Sequence, residues 1–203
     1  MSTSTENISI EDLPEKDFQE AKRKKVAKPL LWISMISIVM LFAGLTSAVI
    51  VSKGDGNWIS FDLPDVFLYS TIVLVLSSLS LMVAHWGAKH NQQPIVKSGL
   101  SVTLALGISF IIMQVEGYNA LVDKGIFFTG VGQTASGSYL YIISALHIAH
   151  LLGGMIGLII TLINGFKGKY EPKNLLGLQL CSIYWHFMDV LWIYLYIFFT
   201  LII

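Results

Sequence analysis

The chain has 203 residues, of which 54% are hydrophobic and only 13% charged, with a mean hydropathy of +0.68. That balance is too apolar and too charge-poor for a soluble domain, and it indicates an integral membrane protein with no nucleic-acid partner. The net charge of zero hides a segregation, because six acids fall within the first twenty residues and Lys22, Arg23, Lys24, Lys25 and Lys28 follow them.

Residues 1–28 form a polar tail, expected to be mobile and cytoplasmic, ahead of one membrane domain at 29–203. The first apolar run is longer than the 7–15 residue core of a removable signal peptide and begins too late in the chain to be one. About 20 apolar residues cross a hydrocarbon core about 30 Å thick. Stretches of that length lie near 30–52, 65–87, 95–115, 138–165 and 175–202. The expected fold is an all-α bundle of five transmembrane helices. Pro29, Pro64, Pro94 and Pro172 stand at or just before the starts of spans one, two, three and five, where a missing amide hydrogen costs nothing.

Orientation follows from the basic residues. Eleven lie in the tail, the 89–97 loop and the 167–173 loop, against Lys53 and Lys124 in the alternate segments. The N-terminus is therefore expected in the cytoplasm and the C-terminus on the outer, periplasmic side. Trp32, Trp58, Trp86, Tyr118, Tyr139 and Tyr170 fit interfacial belts. Cys181 reads as a small packing residue, since a single cysteine supports neither a disulfide nor a cysteine-based metal site.

Two polar pairs lie deep in the last two spans. At about 1.5 Å per residue, His147 and His150 fall roughly 15–20 Å along span four, and His186 and Asp189 roughly 16–21 Å along the antiparallel span five. The pairs share a depth. Each has i, i+3 spacing, so the two faces could meet or line one polar pocket. Ala145, Ala149, Gly153 and Gly157 add a small-residue stripe that admits close approach of another helix. A carboxylate in hydrocarbon costs roughly 2.5–3.5 kcal/mol on insertion scales, so Asp189 needs a reason. A polar staple between helices, proton or headgroup handling, a haem held by the deep histidines and a small proton-coupled carrier all supply one. His85 and His90 fall at the end of span two and in the adjoining loop, where a headgroup-facing role is expected.

The run YWHFMDVLW, Tyr184 to Trp192, closely resembles the C-terminal signature of subunit III of haem–copper terminal oxidases. Tyr139 to Gly154, YLYIISALHIAHLLGG, is similar to that family's segment in which two histidines three apart precede a glycine. Trp32, Ser37, Met40, Phe42 and Gly44 follow the pattern of its first matching helix, and Gln114, Glu116 and Tyr118 give a looser match. Together these resemblances cover nearly all of the chain beyond residue 30. One departure is sharp: Ile38 follows Ser37 where the family usually has glutamate.

The resemblance implies a five-helix bacterial form, similar to the last five helices of the seven-helix version. It implies a non-catalytic subunit without haem or copper of its own, packed directly on subunit I, in a complex with subunit II and within reach of a larger respiratory supercomplex. Subunit III of that family supports turnover stability and proton uptake and holds structural phospholipid in a cleft. The first two helices of that cleft are missing here, so a neighbouring subunit would have to supply its second wall. The matching residues His147, His150, Trp185, His186 and Asp189 are expected to serve as structural, lipid-facing or interface groups. No catalytic, cofactor-binding or metal-binding residue is expected, and the place is the bacterial inner membrane.

Overall fold

A computed structural model of the chain describes residues 15–54, 58–130, 133–168, 170 and 175–203. Five helices follow one another: α1 Glu15–Ser52, α2 Val66–Lys89, α3 Gln93–Asp123, α4 Ala135–Phe166 and α5 Leu176–Ile202. All five are long and apolar enough to cross a membrane. Among the described residues the only β pairing is a single bridge between Phe127 and Gln133.

The spans match the apolar runs, with two extensions. Helix α1 starts at Glu15, within the segment expected as a tail, and Pro29 lies inside it. Residues 15–28 are rich in Glu, Gln, Lys and Ala, all strong helix formers, so the helix persists beyond the apolar run. The carbonyl that Pro29 leaves unbonded sits where that polar extension meets the apolar stretch, within reach of water. Residues 1–14, Lys169, Pro172 and Lys173 lie outside the described residues. Helix α3 runs past 115 to Asp123 because its last turns still pack: Leu121 is buried, and Gly117 faces the Phe67 ring so closely that an added Cβ would lie 2.9 Å from it.

Helices α2 and α3 form the tightest pair, since Gly99 lets the backbones approach until an added Cβ would stand 2.8 Å from the Ala84 Cβ. Small residues at such crossings replace the hydrophobic drive that lipid removes. Further contacts of α2 with α5, α3 with α4 and α4 with α5 close a ring of four helices. Among the described residues helix α1 packs on α4 and α5 only. Phe42 anchors it, 1% exposed, with its ring edge-on to His147 and His150 at 6.4 and 5.8 Å. Tyr194 Oη donates to Thr46 Oγ1 at 3.1 Å, and Ser52 Oγ and Tyr139 Oη lie 2.8 Å apart. The outer helix faces carry exposed Leu30, Ile36, Met40, Leu79, Ile156 and Leu201, as a bundle solvated by lipid requires.

The aromatic belt is only partly a belt. Trp32 and Trp86 are exposed, whereas Tyr118 turns inward to donate to Ser144 Oγ at 2.9 Å, and Tyr170 is buried, its carbonyl accepting from Gln93 Nε2 at 2.6 Å. These tyrosines tie elements together, a use that position alone did not reveal.

Candidate functional site

A seam of hydroxyl groups on α2 organises the interior. Ser70 and Ser77, and likewise Thr71 and Ser78, are seven residues apart and so repeat on nearly the same helix face. In a helix such hydroxyls usually return a bond to their own backbone, and Ser70, Thr71 and Ser77 do so, to Phe67 O, Phe67 O and Leu74 O. Their oxygens keep lone pairs free to accept from neighbouring helices. Trp185 Nε1 donates to Ser77 Oγ at 2.9 Å, Trp192 Nε1 to Thr71 Oγ1 at 3.0 Å, and Gln114 Nε2 to Ser70 Oγ at 2.9 Å. Both deep tryptophans of α5 are thereby fixed to α2.

Ser78 completes the seam. Its Oγ lies 2.7 Å from His186 Nδ1 and donates to Asp189 Oδ2. The i, i+3 spacing thus brings His186 and Asp189 onto one face, as expected, but the face meets α2. Among the described residues no hydrogen bond joins this pair to His147 or His150. Asp189 is 3% exposed, and its Oδ1 has no partner among the described residues. His186 is half-buried.

His147 occupies a different environment. It is completely buried in an aromatic box formed by Phe42, Phe110 and Trp192, with ring centroids 6.4, 6.2 and 5.0 Å away. Neither ring nitrogen has a hydrogen-bond partner among the described residues. His150 Nδ1 lies 2.7 Å from Leu146 O, while His150 O accepts from Tyr184 Oη at 3.0 Å. The shared depth is therefore divided: a polar α2–α5 centre on one side, an imidazole among rings on the other.

The packing stripe faces outward. Ala145, Ala149 and Gly153 are exposed, and nothing lies within 4 Å of a Cβ built on Gly153 or Gly157. The close contacts within the bundle use other glycines, Gly107 against Trp185 and Gly154 against Tyr184, each leaving 2.9 Å for an added Cβ. Gly153 and Gly157 instead line an open groove of about 500 Å³ between α4 and α5, with Thr161, Asn164 and Tyr170 at one end. Of the looser α3 match, Gln114 is buried and Tyr118 half-buried, while Glu116 is exposed. Ile38, at the position of the departing residue, is buried.

Three aromatic rings fill the space around His147 that a porphyrin would need. Groups of three or more His, Cys, Asp or Glu able to hold a metal are absent among the described residues.

The chain is similar in sequence to known proteins. The family model described as cytochrome c oxidase subunit III matches residues 57–202. The cytochrome c oxidase subunit 3 of Corynebacterium diphtheriae is 30% identical over 78% of this chain and 80% of its own length. A protein of Nocardia farcinica described as a probable cytochrome c oxidase subunit 3 is 30% identical over 82% of both chains. One with the same description from Rickettsia prowazekii is also 30% identical, with 61% of its length matched. With a family model spanning four of its five helices and relatives aligned over most of its length, the chain belongs to the cytochrome c oxidase subunit III family.

Proposed function

We propose that the chain is the non-catalytic subunit III of a respiratory haem–copper oxidase, a cytochrome c oxidase of the bacterial inner membrane. It stabilises the catalytic subunit I by direct contact and supports proton uptake while the complex reduces oxygen in aerobic electron transport. Subunit II belongs to the same complex, and the complex to a larger respiratory assembly. Haem and copper reside in the partners, and the open groove between α4 and α5 suits structural phospholipid. The N-terminus faces the cytoplasm.

The observation that carries the non-catalytic reading is the use made of the deep polar groups. His186 and Asp189 bind Ser78, Trp185 binds Ser77, and His147 is walled in by rings. Trp185, His186 and Asp189 are thus bonded across to α2, and a buried polar group without such a partner is costly.

Purification of the tagged chain from its native membrane tests the proposal. Expected is a stoichiometric complex with a haem–copper subunit, whose haem spectrum stays with the catalytic subunit when this chain is stripped by detergent. A chain that purifies alone, or that carries a haem band once separated, would overturn it.

A further inference from the structure

Lys22, Arg23, Lys24, Lys25 and Lys28 gather five of the chain's thirteen basic residues into one short run, and no acid follows them until Asp55. The run lies within α1, which passes from Glu15 into the apolar span as one helix. Along the helix axis, at about 1.5 Å per residue, positions 28, 25 and 22 stand about 3, 8 and 12 Å beyond Leu30, the start of the apolar run. The headgroup layer outside the hydrocarbon edge is about 5–8 Å deep. Lys28 and Lys25 therefore stand at phosphate level, and a lysine at position 22 reaches back to it on its flexible stem. The acidic positions 20, 17 and 15 lie about 15–22 Å out, beyond that layer. Charge is thus sorted along α1 by depth, with the cations where lipid phosphates are.

The surroundings of α1 leave this level open to lipid. Lys22, Lys25 and Lys28 are exposed, as are Pro29, Leu30, Trp32 and Ile33 just below them. Trp32 adds an amphipathic ring at interfacial depth. The two lysines at the other end of the bundle are used differently, since Lys53 Nζ donates to Ile202 O and Lys124 Nζ to Asp62 O, each at 2.9 Å. Consecutive helix positions are turned by about 100°, so positions 22 to 25 cover a full turn. A protein face would meet one side of such a ring, whereas lipid headgroups meet all of it. Four of the five residues are lysines, which bind phosphate as point charges; arginine is the better fork for a protein carboxylate.

We propose that Lys22, Arg23, Lys24, Lys25 and Lys28 form a collar that binds anionic phospholipid headgroups in the leaflet at the N-terminal end of α1. A cluster of basic residues next to a membrane span is attracted to such a surface. With the N-terminus inward this is the cytoplasmic leaflet. The collar is separate from the groove between α4 and α5, and it needs a membrane but no oxidase chemistry.

A fluorophore on Leu30→Cys in a Cys181→Ala background tests the collar, in protein purified with its accompanying subunits and placed in nanodiscs of equal parts phosphatidylcholine and phosphatidylglycerol. One lipid or the other carries a nitroxide quencher on its acyl chain near the headgroup. Quenching should report an association constant about five-fold or more higher for phosphatidylglycerol, the scale of one basic residue at an anionic surface. The preference should fall towards parity at about 1 M salt, where the Debye length is about 3 Å. It should fall likewise in the double variant Lys25→Gln, Lys28→Gln and persist in Lys25→Arg, Lys28→Arg. Equal quenching by the two lipids, or a preference that survives both salt and the glutamine variant, would overturn the inference. So would a glutamine variant that keeps the lipid preference and sheds an accompanying subunit, which would assign the collar to an acidic protein face. None of these readouts involves haem, so the proposed function is tested separately.

Discussion

Gly107 and Gly153 are both helical glycines with opposite surroundings, and the contrast shows which crossings hold the bundle. A methyl group on Gly107 would stand 2.9 Å from Trp185 Cη2 and 3.1 Å from Cζ2. Trp185 cannot yield easily, because it is completely buried and its Nε1 is bonded to Ser77. Overpacking of this kind costs about 1–3 kcal/mol. Gly153 has nothing within 4 Å, so alanine there adds only helix propensity, worth up to about 1 kcal/mol in its favour. Thermal unfolding of the detergent-solubilised chain should show Gly107→Ala clearly destabilised and Gly153→Ala neutral or slightly stabilised. Equal destabilisation would mean that the outward stripe packs within the chain after all.

Among the elements, α1 is the least secured, since among the described residues it touches only α4 and α5. Its inward face presents Ile38, Phe42, Thr46 and Val49, all buried, with one polar tie from Thr46 to Tyr194 and a second at its end, from Ser52 to Tyr139. A glutamate at Ile38 would enter this apolar seam at a cost on the order of 2.5–3.5 kcal/mol. Ile38→Glu should lower the melting temperature of the purified chain and speed proteolytic loss of α1. An unchanged melting temperature would show that a polar group or water already reaches the seam. The elements themselves were legible in the sequence because a run of about 20 apolar residues has few other uses. The polar helix before Pro29 was less legible, since no apolar pattern marks it. The partner of His186 and Asp189 was harder to see. Depth arithmetic puts them level with His147, but depth says nothing about rotation, and Ser78 looks like one more serine in an apolar helix. The repeat of Ser70 and Thr71 at Ser77 and Ser78 was the available signal.

At the scale of the whole molecule, the charge distribution predicts how the bundle is oriented. Eleven of the thirteen basic residues fall in the N-terminal segment and in the segments after α2 and α4, against two in the others, an asymmetry of the kind that sets topology during insertion. The α2 end carrying Lys89 belongs to the same set of segments as the N-terminal one, so both are expected in the cytoplasm. Two exposed positions report the orientation, Lys25 on the polar extension of α1 and Ser60 in the segment between α1 and α2. In a Cys181→Ala background, Ser60→Cys should react with a membrane-impermeant thiol reagent on intact cells, and Lys25→Cys only after the membrane is opened. The opposite pattern would refute the orientation.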